Sequence, residues 1–166
     1  ASGTADADYY RRFDPSDAAD ESGIVWSSKY QVYIGLRNST NRLYIFPADF
    51  TSFAASTIRI VDLGTVDLDG AGGACTDAAI DSEGISLTSP DGDYFYVSTE
   101  TTGGCMGVAE YSIAAAFTTS PLQETTTWRL DALNGGSCTV GNAGFESIAF
   151  VPDGVNCPAE YTNIPC

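Results

Sequence analysis

The chain contains no histidine, one lysine (Lys29) and one methionine, and its seven basic residues stand against 22 acidic ones. Without an imidazole, Ser-His-Asp and Cys-His catalysis within the chain are excluded. GxSxG elbows and GxxxxGK phosphate loops are also absent. A formal net charge of -15 repels phosphate backbones and anionic lipid, so nucleic acid and membrane surfaces make poor partners, whereas cations and basic molecules make better ones. Solubility in a salty or extracellular medium explains the same acidity. No apolar run approaches the ~20 residues that cross a bilayer. The first residues, ASGTADADYY, have neither a basic start nor an apolar h-region, which fits a soluble chain already processed.

What is present is enough for a core. With 43% hydrophobic residues, 166 residues can fold as one domain that hides roughly two-thirds of its unfolded surface. Cys75, Cys105, Cys138, Cys157 and Cys166 form no CxxC pair, so disulfides are a better reading than zinc. The sequon Asn38-Ser39-Thr40 fits a secreted glycoprotein.

Three segments resemble one another: SGIVWSS around Ile24, EGISLTS around Ile85 and ESIAFVP around Ile148, at spacings of 61 and 63 residues. After the first two, a series of short alternating segments rich in aromatic and β-branched residues predicts strands. In the first repeat these are 22–26, 31–36, 42–47 and 57–63; in the second, 83–89, 93–100, 107–113 and 125–131. Asp91-Gly92 and Asp153-Gly154 follow prolines and read as hairpin turns.

Four-stranded units at a fixed period predict an all-β chain built of β-propeller blades. Residues 1–20 would carry the outer strand of a preceding blade (YYRRFD, 9–14), 21–80 and 81–143 two full blades with their connecting loops, and 144–166 the start of a third. A closed ring needs roughly 250 to 500 residues at this period. The chain is therefore expected to be a piece of a longer or cleaved polypeptide, or to complete its ring with other copies of itself. A two-sheet sandwich of the same strands is the alternative.

The cysteines follow the repeat. Cys75 and Cys138 each lie eight residues before an aligned glutamate, Glu83 or Glu146, while Cys105 and Cys166 follow by 22 and 20. Equivalent bridges would be Cys75–Cys105 and Cys138–Cys166, with Cys157–Cys166 as the competing choice for the second. Glu83 and Glu146 open innermost strands and would converge near a channel mouth, a hard oxygen environment suited to Ca²⁺. Asp81 and Asp77, with Asp67 and Asp69, lie on the approach loop. That loop is not an EF-hand, because alignment on Gly70 puts Thr65 and Thr76 at its first and twelfth positions. A solvated loop is the alternative for this acidity, and an exposed strand end for Glu100. Trp26, Tyr33, Tyr44, Phe95 and Trp128 are expected to pack in the core.

The run DSEGISLTSPDGDYFYVSTE, echoed by GFESIAFVPDG, resembles the β-propeller domain called esterase-like activity of phytase. The segment ESGIVWSSKYQVYIGLRNSTNRLYIF is more loosely similar to calcium-dependent gluconolactonase-like propellers. The resemblance implies a propeller with channel-facing acids and bound calcium; Glu83 matches the EGI glutamate, and Glu146 matches it with Ser147 in place of the glycine. In the first repeat Ser22 takes that position, with Glu21 displaced by one. Basic residues that would hold a phosphate are not in evidence. Three functions follow as expectations: an extracellular calcium-binding module with a structural, adhesive or assembly-forming role; part of a metal-dependent esterase or phosphatase; or a carbohydrate-binding module.

Overall fold

A computed structural model describes residues 21–37, 41–48, 58–68, 75–77, 81–100, 105–130 and 147–150. They form two four-stranded antiparallel sheets, each a meander whose strands lie side by side in chain order. The first holds β1 (Glu21–Ser27), β2 (Val32–Arg37), β3 (Arg42–Pro47) and β4 (Arg59–Asp62). A two-strand ribbon follows, β5 (Val66–Asp67) with β6 (Thr76–Asp77). The second sheet holds β7 (Asp81–Leu87), β8 (Tyr94–Glu100), β9 (Met106–Ser112) and β10 (Thr126–Arg129). All eight principal strands fall on the segments expected from alternation, with ends shifted by three residues or fewer.

Period-two alternation sets the packing. On the first sheet Leu36 pairs with Leu43 and Leu43 with Val61, and two residues along Ile34 pairs with Ile45; this face is buried against the second sheet. The second sheet answers with Ile85 opposite Val97, Val97 opposite Ala109, and Phe95 opposite Tyr111, whose rings stack at 5.3 Å. Between the sheets the first strands of each, β1 and β7, are the close pair. Farther out the space is filled by Leu63, Val66, Leu68 and Cys75 and by Ile113, Ala116 and Leu122. Leu122 also joins the chain just after β4 through backbone bonds, Gly64 N–H to the Leu122 carbonyl at 2.7 Å and Leu122 N–H to the Asp62 carbonyl at 2.8 Å.

Alternation does not announce the filling elements. The short helix α1 (Ile113–Ala116) begins where Ser112 accepts a hydrogen bond from Ala115 N–H at 3.3 Å, an N-cap on a segment read as the end of a strand. The Arg59 guanidinium donates to the Ala116 carbonyl at 2.7 Å and holds this helix against β4.

Two glycines explain how closely the first strands of successive repeats approach. A Cβ on Gly23 would lie 3.0 Å from Ile85 Cγ2, and one on Gly84 would lie 2.9 Å from Ser147 Cα and 3.0 Å from Ile148 N. The three repeats are thus laid side by side at the same point of the motif, β7 over Gly23 and residues 147–150 over Gly84. Residues 147–150, expected to begin a strand, carry no ladder pairing. The expected strand at 9–14 lies outside the described residues.

Candidate functional site

The ladder of the first strand of each sheet, β1 and β7, is broken at one residue. Glu21 pairs with Arg37 and Gly23 with Leu36, leaving Ser22 over; Ser82 pairs with Thr99 and Gly84 with Ser98, leaving Glu83 over. These are β-bulges at the same position of the repeat, and a bulge turns its side chain out of the regular alternation. Glu83 therefore occupies a special backbone position and is half-buried. Ser22, its counterpart, brings no carboxylate there.

Buried polar groups collect beside the bulges. Arg37, Asn41, Ser82, Ser98 and Thr99 are all buried at this end of the sheets, and among the described residues only Ser27 is a buried polar residue elsewhere. Ser82 Oγ donates to Asn41 Oδ1 at 3.3 Å, and the Asn41 carbonyl accepts from Leu63 N–H at 2.8 Å. Asn41 takes a left-handed backbone, φ 49°, which asparagine tolerates better than most residues. The Arg37 guanidinium donates to Tyr44 Oη at 3.4 Å. An amide oxygen is no base, so the bond to Asn41 holds Ser82 in place and does not activate it as a nucleophile.

Asp81 opens β7 directly opposite Glu100, so two acidic residues are register partners two positions from Glu83. Asp77 lies on the separate β5–β6 ribbon, opposite Val66. Among the described residues no three of His, Cys, Asp and Glu gather into a group that could hold a metal ion. Glu146, Asp69 and Asn38 lie outside the described residues.

Cys75 is disulfide-bonded to Cys105, with Cα atoms 5.6 Å apart, which ties the ribbon to the start of β9. The repeat spacing had pointed to that pair. Cys138, Cys157 and Cys166 are outside the described residues, so the second pairing stays as open as the sequence left it.

The opposite end of the sheets carries a clasp that no motif signalled. Ser28 N–H donates to the Pro90 carbonyl at 2.6 Å, and Lys29 Nζ meets Asp93 Oδ1 at 2.7 Å and Oδ2 at 2.8 Å. Tyr30 Oη also donates to Asp93 Oδ1, at 2.7 Å. The bond to Asp93 raises the Lys29 ammonium and Tyr30 phenol above their ordinary values, and the bonds from Lys29 and then Tyr30 lower the Asp93 carboxyl. The Pro90-Asp91 turn expected here is present, closed by Gly92 N–H to the Ser89 carbonyl at 2.9 Å.

On the far face of the second sheet, Tyr96 lies between Trp128, with ring centroids 6.0 Å apart, and Phe150, at 5.2 Å. Its hydroxyl donates to Glu110 Oε2 at 2.6 Å, while Thr125 Oγ1 donates to Oε1 at 2.6 Å. Burial first, and the Glu110 bond second, push the Tyr96 phenol up to about 12. Trp128, expected in the core, is 43% exposed, because β10 is the outer edge of its sheet. Phe95 and Tyr44 are buried as expected.

No family model, curated protein or solved structure matches this chain.

Proposed function

We propose that the chain is an extracellular module of β-propeller blades whose role is structural, and whose Glu83, at the β7 bulge, and Glu146 present carboxylates to a cation such as Ca²⁺. The observation carrying this reading is one contact made twice among the three repeats: β7 lies over Gly23 as residues 147–148 lie over Gly84, each time one residue before the repeat's isoleucine. Successive meanders joined end to end, with innermost strands adjacent, are the arrangement of neighbouring blades. A sandwich of the Greek-key kind would instead send strands across between its sheets. The Cys75–Cys105 disulfide is compatible with an oxidising compartment. The resemblance to the phytase-like propeller domain points the same way.

For calcium, the described residues supply Glu83 at the bulge, with Asp81 and Glu100 opposed beside it. Ca²⁺ takes six to eight oxygens, so Glu146 and carboxylates or carbonyls from further repeats would have to complete the shell. The chemistry such an ion supplies to a purely structural module is charge neutralisation at a crowded mouth. Thermal unfolding with calcium chloride, magnesium chloride or chelator tests the reading. Calcium should raise Tm in the parent chain and should do so less, or not at all, in Glu83→Gln. Equal melting with calcium and with chelator would sink the calcium part. Chelator-sensitive hydrolysis of a phosphate or carboxylate ester, lost in Glu83→Gln, would replace the structural role with the hydrolase one.

A further inference from the structure

We infer that the outer part of the far face of the second sheet is a receptor for an alkylammonium group, built from Glu110, Tyr96 and Trp128, and that it takes a lysine side chain from a basic partner protein. The inference needs neither the calcium nor the closed ring of the reading above.

The chain holds an occupied version of this arrangement in its own clasp. There the Asp93 carboxylate accepts the Tyr30 hydroxyl at 2.7 Å and the Lys29 ammonium at 2.7 and 2.8 Å, and the same ammonium lies 5.8 Å from the centre of the Tyr30 ring. A carboxylate, a phenol bonded to it and an ammonium within about 6 Å of a ring combine an ion pair with a cation–π contact. The far face repeats the first two members. Tyr96 Oη donates to Glu110 Oε2 at 2.6 Å, and the rings of Trp128 and Phe150 lie 6.0 and 5.2 Å from that of Tyr96. The third member has to come from outside the chain: among the described residues no basic side chain pairs with Glu110, and the chain's one lysine is already at Asp93. Thr125 Oγ1 donates to Glu110 Oε1 at 2.6 Å, yet each carboxylate oxygen has two lone pairs. Asp93 Oδ1 shows one such oxygen accepting a phenol and an ammonium together.

Register shows that this part of the face is not built for dry packing. Tyr96, Glu110 and Trp128 stand at the positions that Ile34, Ile45 and Val61 hold in the first sheet, where all three are buried against the second. Residues 147–148 lie over Gly84, and Phe150 follows onto Tyr96. Glu110 and Trp128 belong to the next strands outward, β9 and β10, beyond that cover. Glu110 and Tyr96 are half-buried, while Trp128 and Phe150 are 43% and 46% exposed. Thr126 is the register partner of Glu110, so Trp128, two residues on, shares its face on the diagonal. Tryptophan is the ring that attracts cations best. An apolar partner would strip water from the Glu110 carboxylate and return nothing; an ammonium replaces that water with an opposite charge. The net charge of -15 adds long-range steering toward a basic protein.

The test is a titration of the 166-residue chain with Nα-acetyl-lysine methylamide, followed by NMR at the Trp128 indole N–H. The chain has two tryptophans, and Trp128→Leu identifies this signal by its loss. The signal should move saturably, and high salt should weaken the binding. Glu110→Gln, which keeps the shape of the side chain, should weaken it about tenfold or more. Trp128→Leu, read at the Tyr96 ring signals, should weaken it about fivefold. The same probe acetylated at Nε has lost its charge and should not bind. Asp91→Asn removes one negative charge from an exposed turn elsewhere and should leave the affinity unchanged. A Trp128 signal that does not move overturns the inference, as does an Nε-acetylated probe that binds equally well. Equal losses in Glu110→Gln and Asp91→Asn overturn it too, because the probe would then be reading net charge alone. Circular dichroism checks that Glu110→Gln is folded; if it is not, the Trp128→Leu loss decides, since that side chain is exposed on an edge strand. Chelator is present throughout, which keeps the outcome separate from that of the calcium reading.

Discussion

The first and second sheets share one register down to the bulged residue, and they part where their faces meet different surroundings. Ile34 and Ile45 of the first sheet, pressed against the second, correspond to Tyr96 and Glu110, which hydrogen-bond on the second sheet's far face. Leu36 and Val61 likewise correspond to Ser98 and Trp128. Positions that govern backbone approach, Gly23 with Gly84 and the two bulges, keep their role; positions that face a neighbour change with the neighbour. The bulge belongs to both groups. Its backbone geometry is common, and its side chain, Ser22 or Glu83, is what differs.

If both sheets rest on one core, truncation should cost similar amounts in either. Phe95→Ala should lose roughly 3 to 5 kcal/mol and Leu36→Ala roughly 2 to 5, read as urea midpoints of a single transition. Two separate transitions would mean that the sheets are independent units. The disulfide breaks the symmetry, because among the described residues only the second sheet has one. Reduction, or Cys75→Ser with Cys105→Ser, should cost roughly 3 to 4 kcal/mol for a closed loop of this length, with both residues at a separation of 30.

The glycines sharpen the comparison further. Gly84→Ala pushes a Cβ against backbone atoms of 147–148, which cannot yield as a side chain does, and should lose roughly 1 to 3 kcal/mol. Gly23→Ala meets the tip of Ile85, which can shift, so its loss should be the smaller of the two. The reverse order in chemical denaturation would mean that the third repeat does not rest on Gly84.

The smallest effect is the clasp between the hairpin turns. The Asp93 carboxyl is lowered in the folded chain, so its contribution is present above an unfolded value near 3.8 and is lost as pH falls through the folded one. The Lys29 ammonium is raised, so its contribution is complete below an unfolded value near 10.5 and is lost as pH rises through the folded one. The Tm difference between the parent chain and Asp93→Asn should be flat between those limits and close at both ends. A difference independent of pH would remove the ion pair as its cause.

Much of the fold was legible because alternation and repetition are local signals. Strand positions, the Pro-Asp-Gly turn and the Cys75–Cys105 pairing all came from spacing along the chain. The buried polar end was not legible. Arg37, Asn41, Ser82 and Thr99 belong to different strands and loops, and nothing in the residues themselves distinguishes a buried serine from a surface one. The clasp was missed for a related reason: Lys29 and Asp93 are 64 residues apart, and a sole lysine is a hint only once its partner is known. The alignment of Ser22 with Glu83 did carry the bulge, unrecognised, because a one-residue offset from the ladder has no composition of its own.

The sequence by itself determined the eight principal strands and their grouping into two similar units, since a period of two and a period of about 62 residues are properties of the chain alone. It determined as well that imidazole chemistry is absent and that the surface is strongly acidic. Tertiary structure alone decided which face of each sheet is buried, which residue the ladder leaves out and which serines lose water. Those outcomes depend on the distance between strands far apart in sequence, and that distance is set by what two glycines leave unfilled.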